Sequence, residues 1–210
     1  MRLNEGARVP TITLPTIDGS EFQTASLAGR KYLLGFFRFA SCPFCNLRLH
    51  GLVQQYESYA DDFTVVAVFD SPPDNLIANA KRHRAPFPIL ADESNEYYRQ
   101  FGIERSLLGV VKGITTRVPT LIRATLKGNI PLQTKGSMTT MPANFLIDAD
   151  GIIHTAYYGN DEGDQLPFEA VAKFANEIGQ ERQARVTAPS FQMRPILHTS
   201  LAPRDWLHPG

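Results

Sequence analysis

The sequence predicts an α/β protein in which helices cover the faces of a central sheet. Two nearly continuous apolar runs, Tyr32 to Phe39 and Phe63 to Phe69, are typical of strands that are buried on both faces of a parallel sheet. Between them lies a segment with apolar residues at helical spacing, Asn46 to Ala60. Because strand, helix and strand alternate in this way, we expect a parallel sheet with helices packed on it.

A short irregular segment precedes the first buried strand. Pro10 to Pro15 predicts an extended stretch, and Ile17-Asp18-Gly19 predicts the turn that ends it. Ser26 to Gly29 predicts a brief helical turn, which the glycine terminates.

The alternation continues to about residue 101. Ser71 can cap a helix, and the prolines and Asp74 that follow suit the first helical turn, so a helix is predicted from about Asp74 to Arg84. Phe87 to Ala91 predicts a short strand. Asp92 can then cap a helix from Glu93 to Phe101.

Residues 105–130 interrupt this alternation with a basic segment. Its charged residues are all positive: Arg105, Lys112, Arg117, Arg123 and Lys127. Apolar residues recur at helical spacing, and Pro119 divides the segment into two short predicted helices. We interpret it as a helical insertion that packs on the domain with its charges in solvent. A dimer interface and a basic amphipathic membrane surface are the alternatives, the membrane being the least expected.

The last third of the chain predicts a hairpin, a helix and a tail. Asn144 to Asp148 and Ile152 to Tyr158 flank Ala149-Asp150-Gly151, and Asp-Gly between apolar runs is a strong hairpin signal. Leu166 to Ile178 is amphipathic and predicts a helix. We therefore divide the chain into a domain, residues 1–183, and a C-terminal extension, residues 184–210. The extension is apolar enough that we expect it to dock, and a second subunit of a homodimer could supply the surface.

Composition excludes several functional classes. The 210 residues suit one domain with an appendage, and 21 basic residues balance 21 acidic ones, so nothing indicates a nucleic-acid partner. The start of the chain lacks the apolar core of a signal peptide, and no stretch has the length of a transmembrane helix. A single pair of cysteines suits a reducing cytoplasm better than a secreted disulfide scaffold, so we expect a cytoplasmic protein.

Cys42 and Cys45 are the only two cysteines, and they form a Cys-x-x-Cys pair where the first predicted strand meets the first predicted helix. Backbone N–H groups and the dipole at a helix N-terminus favour a thiolate, which is the reactive form of cysteine. The second thiol, one helical turn further on, can close a disulfide with the first. The pair therefore predicts redox chemistry.

Two structural roles for this pair are less favoured. A zinc site needs about four ligands, and the five histidines show no paired spacing that would complete one. A purely structural disulfide would close so short a loop that it would stabilise the fold very little. We expect no metal and no organic cofactor.

Three segments carry a resemblance to a known family. Phe36 to Arg48, which spans the cysteine pair, resembles the signature of peroxiredoxin-like redoxins of the alkyl hydroperoxide reductase/thiol-specific antioxidant family. Pro86 to Asp92 with Tyr98 to Gly102 is similar to the family's central strand and following helix, and Met141 to Gly151 resembles its proline, strand and hairpin. The resemblance covers about residues 6–180. It implies a thioredoxin-like fold, a central mixed sheet flanked by helices, to which the helical insertion and the C-terminal extension are added.

The resemblance also implies roles for individual residues. It makes Cys42 the attacking thiol, Cys45 the resolving thiol and Met141-Pro142 a cis peptide that faces them. We expect Cys42 to be partly exposed, with a lowered pKa, and Cys45 to be less accessible. Arg38 could lower the pKa of Cys42 or bind a peroxide oxygen; alternatively, it forms a surface salt bridge or pairs with Asp70.

Departures from the family pattern favour a disulfide as the substrate. Peroxiredoxins carry Pro-x-x-x-Thr/Ser-x-x-Cys, whereas this chain has Gly35 and Phe39 at the proline and hydroxyl positions before Cys42. Our hypothesis is a thiol-disulfide oxidoreductase in which Cys42 attacks and Cys45 resolves. A thiol-dependent peroxidase and a non-catalytic module that binds a partner or a membrane are the alternatives. An external thiol reductant, namely thioredoxin, glutaredoxin or glutathione, would reopen the disulfide.

Overall fold

A computed structural model describes residues 2–80, 83–106 and 139–177, together with positions 119, 122 and 137. The predicted helices of the insertion and the whole extension 184–210 lie outside the described residues, apart from those single positions, so their roles stay predictions. The chain divides into two units, Met1–Glu177 and Ile178–Gly210, and every element below belongs to the first.

A five-stranded mixed sheet forms the centre of this unit, in the order β5-β4-β3-β6-β7. The parallel strands are β3 (Lys31–Phe37), β4 (Phe63–Phe69) and β5 (Ile89–Ala91). The hairpin of β6 (Ala143–Ile147) and β7 (Ile153–Tyr158) adds to the other edge of β3 in antiparallel pairing. The predicted central mixed sheet is therefore confirmed.

Helices flank the sheet, and a small hairpin precedes it. The described helices are α1 (Pro43–Gln55), α2 (Pro73–Ala80), α3 (Glu96–Gln100) and α4 (Phe168–Asn176). The hairpin comprises β1 (Thr13–Pro15) and β2 (Glu21–Gln23), and 3₁₀ turns lie at Thr24–Leu27 and Tyr56–Ser58.

Element ends depart from the predictions for local reasons. α1 begins at Pro43 instead of Asn46, because the fixed φ of proline suits the first position of a helix. α2 ends before Arg84, whose positive φ of 48° cannot continue a right-handed helix. α3 begins after Asn95 for the same reason, since Asn95 has a φ of 54°.

Apolar side chains of β3 alternate between two cores, one on each face of the sheet. Leu33 and Phe37 point into the core that contains both cysteines. Leu34 and Phe36 point into the opposite core. This period of two, with both faces covered, explains why β3 is almost entirely apolar. It also places the cysteine pair against the packed interior.

Candidate active site

The cysteine pair lies where the end of β3 turns into α1. Cys42 is the N-cap residue of α1, with extended backbone, and Pro43 occupies the first helical position. The N–H of Cys42 donates to the carbonyl of Phe39, which closes the turn at 3.0 Å. The carboxyl end of a central parallel strand and the start of a helix therefore meet at the Cys42 sulfur, as the sequence predicted.

An asparagine side chain holds this turn in place. Asn46 Nδ2 donates to the carbonyls of Ala40 and Cys42 at 2.8 and 2.9 Å. Its Oδ1 lies 2.7 Å from His83 Nε2. Ser71 Oγ, after β4, accepts the N–H of Ala40 at 2.9 Å. Neither Asn46 nor Ser71 was predicted as a positioning residue, although a polar side chain in the first turn of a helix, as at Asn46, is a usable signal.

Cys42 is fully buried, so the expectation that it would be partly exposed is wrong. It belongs to the same buried core as Phe39 and Phe44. Burial raises the pKa of the Cys42 thiol, but a hydrogen bond from the Cys45 thiol, the charge of Arg38 and the backbone N–H of Cys45 together lower it to about 7. The expected lowering of this pKa thus arises from specific partners and not from exposure.

The pKa of Cys45 shifts in the opposite direction to that of Cys42. Cys45 is also fully buried, and burial, followed by its hydrogen bond to Cys42 and the charge of Cys42, raises the pKa of Cys45 well above its ordinary value. The backbone N–H of Arg38 donates to Cys45 Sγ at 3.3 Å. One sulfur is therefore poised as a thiolate and its neighbour as a thiol. This inequality favours the predicted roles, which stay predictions.

Arg38 supplies the positive charge of the site. Its side chain is only 2% exposed, and its Nη1 lies 3.7 Å from Cys42 Sγ and 3.1 Å from Glu162 Oε2. The guanidinium also lies 5.3 Å from the centre of the Phe39 ring. The expected alternatives for Arg38, a surface salt bridge or a pair with Asp70, do not describe this buried pair with Glu162. Asp70 instead accepts hydrogen bonds from Asn95 and Thr140.

Glu162 contacts Arg38 and was not predicted from the sequence as part of the site. It sits in an acidic turn after β7, Asn160 to Asp164, of a kind that normally lies in solvent. In the structure its side chain is 6% exposed. Burial raises the pKa of Glu162, Arg38 lowers it, and the net direction is upward. No local sequence signal indicates a partner as distant along the chain as Arg38.

Pro142 does not adopt the expected cis bond: among the described residues no peptide bond is cis. The carbonyl of Pro142 accepts the N–H of Gly159 at 2.9 Å. A Cβ on Gly159 would lie 2.4 Å from the Asp164 carbonyl oxygen and 3.0 Å from that of Pro142, so only glycine fits here. Pro142 therefore supports the start of the turn that carries Glu162.

The site therefore combines the acidic thiol of Cys42, the weakly acidic thiol of Cys45 and the buried cation of Arg38, and Arg38 contacts both sulfurs. That set suffices for a two-electron oxidation of a dithiol. Within the described part of the chain, no three histidine, cysteine or carboxylate side chains are grouped to hold a metal ion. No described helix is long and apolar enough to cross a membrane.

Comparison with known proteins gives a family and a set of relatives. The model of the AhpC/TSA family matches residues 6–156. A chloroplastic peroxiredoxin Q from Populus jackii is 27% identical over 118 residues, which cover 56% of this chain and 55% of the relative. Peroxiredoxin Bcp of Escherichia coli K12 is 26% identical over 125 residues, which cover 58% of this chain and 80% of the relative. The chain spans about half the length of the first of these relatives.

A solved structure has the same fold. Peroxidoxin BcpB from Mycobacterium tuberculosis superposes with a TM-score of 0.61 at 18% identity, covering 84% of this chain and 99% of that one. The fold is therefore thioredoxin-like, as the resemblance implied.

Proposed function

The chain belongs to the AhpC/TSA family of thiol-dependent oxidoreductases, and from that membership we infer that its substrate is a hydroperoxide, which Cys42 reduces. This reverses the order of the two hypotheses drawn from the sequence, in which a disulfide came first. The relatives that the chain matches are named peroxiredoxins, which favours the peroxidase.

The observation that carries the proposal is a fully buried thiol with a pKa of about 7 beside a buried guanidinium. A protein disulfide has to bring its sulfur in line with the attacking sulfur, which demands an open approach to Cys42. A small hydroperoxide needs far less room. The guanidinium of Arg38 can stabilise both the attacking thiolate and the negative charge that develops on the leaving oxygen.

The first step is an attack of Cys42 thiolate on the terminal oxygen of the hydroperoxide. An S–O bond forms while the O–O bond breaks, and the leaving alkoxide takes up one proton to give an alcohol. Cys42 becomes a sulfenic acid and has lost two electrons.

The second step uses Cys45. Its sulfur attacks the sulfur of the Cys42 sulfenic acid, its proton goes to the leaving hydroxide, and water and an internal disulfide result. An external thiol reductant then supplies two electrons and two protons to reopen the disulfide. The raised pKa of Cys45 suits this order, because Cys45 keeps its proton until the sulfenic acid has formed.

Disulfide reduction is the second candidate, and Phe39 favours it. Phe39 stands three residues before Cys42, where the peroxiredoxin pattern has a hydroxyl that orients the peroxide. The chain replaces that hydroxyl with a buried ring packed near Arg38. Among the described side chains, Arg38 is the cation beside Cys42 that would orient a peroxide.

Parallel rate measurements distinguish the two candidates. Reduced protein is mixed with hydrogen peroxide, with oxidised glutathione and with a protein disulfide, and Cys42 oxidation is followed under pseudo-first-order conditions. We expect the rate constant with peroxide to exceed that of free cysteine at an equal thiolate fraction, and to exceed both disulfide rates. Faster exchange with either disulfide would overturn the peroxidase assignment. Cys42→Ser is the blank for all three substrates.

A further inference from the structure

One nitrogen of Arg38 contacts two acidic groups at once. Nη1 lies 3.7 Å from Cys42 Sγ and 3.1 Å from Glu162 Oε2. Cys42 is fully buried, and the Glu162 side chain is 6% exposed. Two further titratable groups adjoin the cluster, Cys45 on α1 and Asp161 beside Glu162. The proposed peroxidase chemistry assigns no role to Glu162.

Charge balance limits how this cluster can ionise. If Cys42 and Glu162 were both ionised, two buried negative charges would face the buried guanidinium of Arg38. A net buried charge is costly, and two like charges at a shared site hold one of the two groups in its protonated form. Of the two acids that contact Arg38 Nη1, we therefore expect one to be an anion and the other to be protonated.

We propose that Cys42 and Glu162 share a single proton beside Arg38, and that Glu162 takes this proton when Cys42 ionises and returns it to the leaving group. Of these two acids, one is the anion opposite Arg38 at each stage: first the Glu162 carboxylate, next the Cys42 thiolate, and the carboxylate again once Cys42 is oxidised. The inference relies on the proposed function only for the leaving group being an alkoxide.

The proton and electron counts balance without a proton from solvent. Cys42 thiol and Glu162 carboxylate become thiolate and carboxylic acid. The thiolate attacks the peroxide, giving a sulfenic acid and an alkoxide, and the alkoxide takes the Glu162 proton to become an alcohol. Cys45 then closes the disulfide and releases water. Two electrons and two protons leave the site, which ends as a disulfide opposite an ionised Glu162.

Electrostatics agrees with this geometry. Burial raises the pKa of Glu162 above its ordinary value even though Arg38 lowers it, and Asp161 adds to the rise. Glu162 in turn raises the pKa of Cys42, against the lowering by Cys45 and Arg38. Each acid therefore opposes ionisation of the other, as two groups that share one proton must.

Proton exchange during oxidation tests the proposal in the wild-type protein. Fully reduced protein in weak buffer at about pH 8, above the Cys42 pKa of about 7, is oxidised with one equivalent of diamide, and an indicator dye reports the protons exchanged. Diamide takes two electrons and two protons from a dithiol. We expect no net uptake, because the site holds both protons. Uptake of one proton per disulfide would mean that Glu162 and Cys42 are both ionised, and would overturn the proposal.

Glu162→Gln gives the complementary result. The amide cannot hold a transferable proton, so oxidation of this variant at the same pH should take up one proton from solution. In a Cys45→Ser background, thiolate absorbance of Cys42 at about pH 8 should rise in this variant, because Cys42 no longer shares a proton with a carboxyl group. Glu104→Gln, which alters the exposed pair with Arg2, is the matched control and should change neither reading.

These outcomes separate the inference from the proposed function. Diamide oxidises the pair whether or not the protein reduces peroxides, so a failed peroxidase assay leaves the proton count interpretable. If Glu162→Gln matches the wild type in proton count and leaves the thiolate absorbance of Cys42 unchanged, Glu162 only orients Arg38, and the shared proton is refuted.

Discussion

Two buried arginines in neighbouring parts of the chain have opposite surroundings. Arg38, after β3, is 2% exposed and contacts Cys42 and Glu162. Arg48, on α1, is 7% exposed and stacks on the ring of Phe168 at 3.9 Å. Within the described part of the chain, Nε and Nη2 of Arg48 have no hydrogen-bond partner. One guanidinium faces acids and the other faces an aromatic ring.

The pKa values of the two arginines shift in opposite directions. Burial lowers the pKa of Arg48 to about 10, and Tyr59 and Glu169 offset only part of that loss. Burial also lowers the pKa of Arg38, but its acidic neighbours, Cys42 first, raise it by more. Burial by itself therefore does not identify a functional arginine. The partner does: a buried cation next to a thiol can store and stabilise negative charge, whereas one on a ring contributes packing.

The largest effect should come from removing the thiol that distinguishes the Arg38 site. Cys42→Ser should abolish turnover with every substrate, because the only other thiol is buried with a strongly raised pKa. Cys45→Ser should still react once per molecule and then stop, which mass spectrometry of the trapped sulfenic acid or mixed disulfide would show. If Cys45 alkylates faster than Cys42 in the single variants, the roles are reversed.

Replacing each arginine by methionine is the direct test of the comparison. Arg38→Met removes the positive charge beside Cys42, which should raise the Cys42 pKa by about 1–2 units and slow iodoacetamide alkylation at pH 7 by about 5- to 50-fold. Arg48→Met should leave that rate within about twofold of the wild type, because Arg48 does not contact the Cys42 thiol and substitutions at independent sites have little effect on each other. Equal slowing of alkylation in both variants would show that Arg38 has no specific effect on the Cys42 thiolate.

The same pair of variants should differ in stability. Arg38→Met leaves Glu162 buried without its cation and should lower the free energy of unfolding by about 3 kcal/mol, less if Glu162 protonates. Arg48→Met removes a charge with unsatisfied donors and keeps the stacking volume, so we expect a change within about 1 kcal/mol, of either sign. Urea unfolding of the reduced proteins measures both. A larger loss for Arg48→Met would show that its ring contact matters more than the buried ion pair.

The pH profile of Cys42 reactivity should sharpen the contrast further. The folded pKa of Cys42, about 7, lies below its ordinary value, so the thiolate is present above that pH and is lost as the pH falls through it. Alkylation should decrease about tenfold per pH unit below 7 and level off above it. Arg48→Met should retain this midpoint while Arg38→Met shifts it upward. A wild-type midpoint near 9 would refute the proposed stabilisation of the thiolate.

The sequence alone predicted the elements whose signals are local. β4 has the predicted bounds, and β3, the β6–β7 hairpin and α4 lie within a few residues of theirs, because apolar runs, Asp-Gly turns and helical spacing report which faces are buried. The cysteine pair at the start of α1 and the redox chemistry also followed from residues that are close together along the chain, and the family followed from short continuous segments.

Only the tertiary structure decided the environment of the reactive sulfur. Cys42 is buried and not partly exposed, Met141-Pro142 is not cis, and Glu162 reaches Arg38 from the turn after β7. None of these has a local signature, because burial of a turn depends on what packs over it, and an ion pair depends on where two distant loops meet. Residue types and periodicity specify which chemistry a site can perform, whereas the pKa values and the charge partners that govern it arise from contacts between segments far apart in sequence.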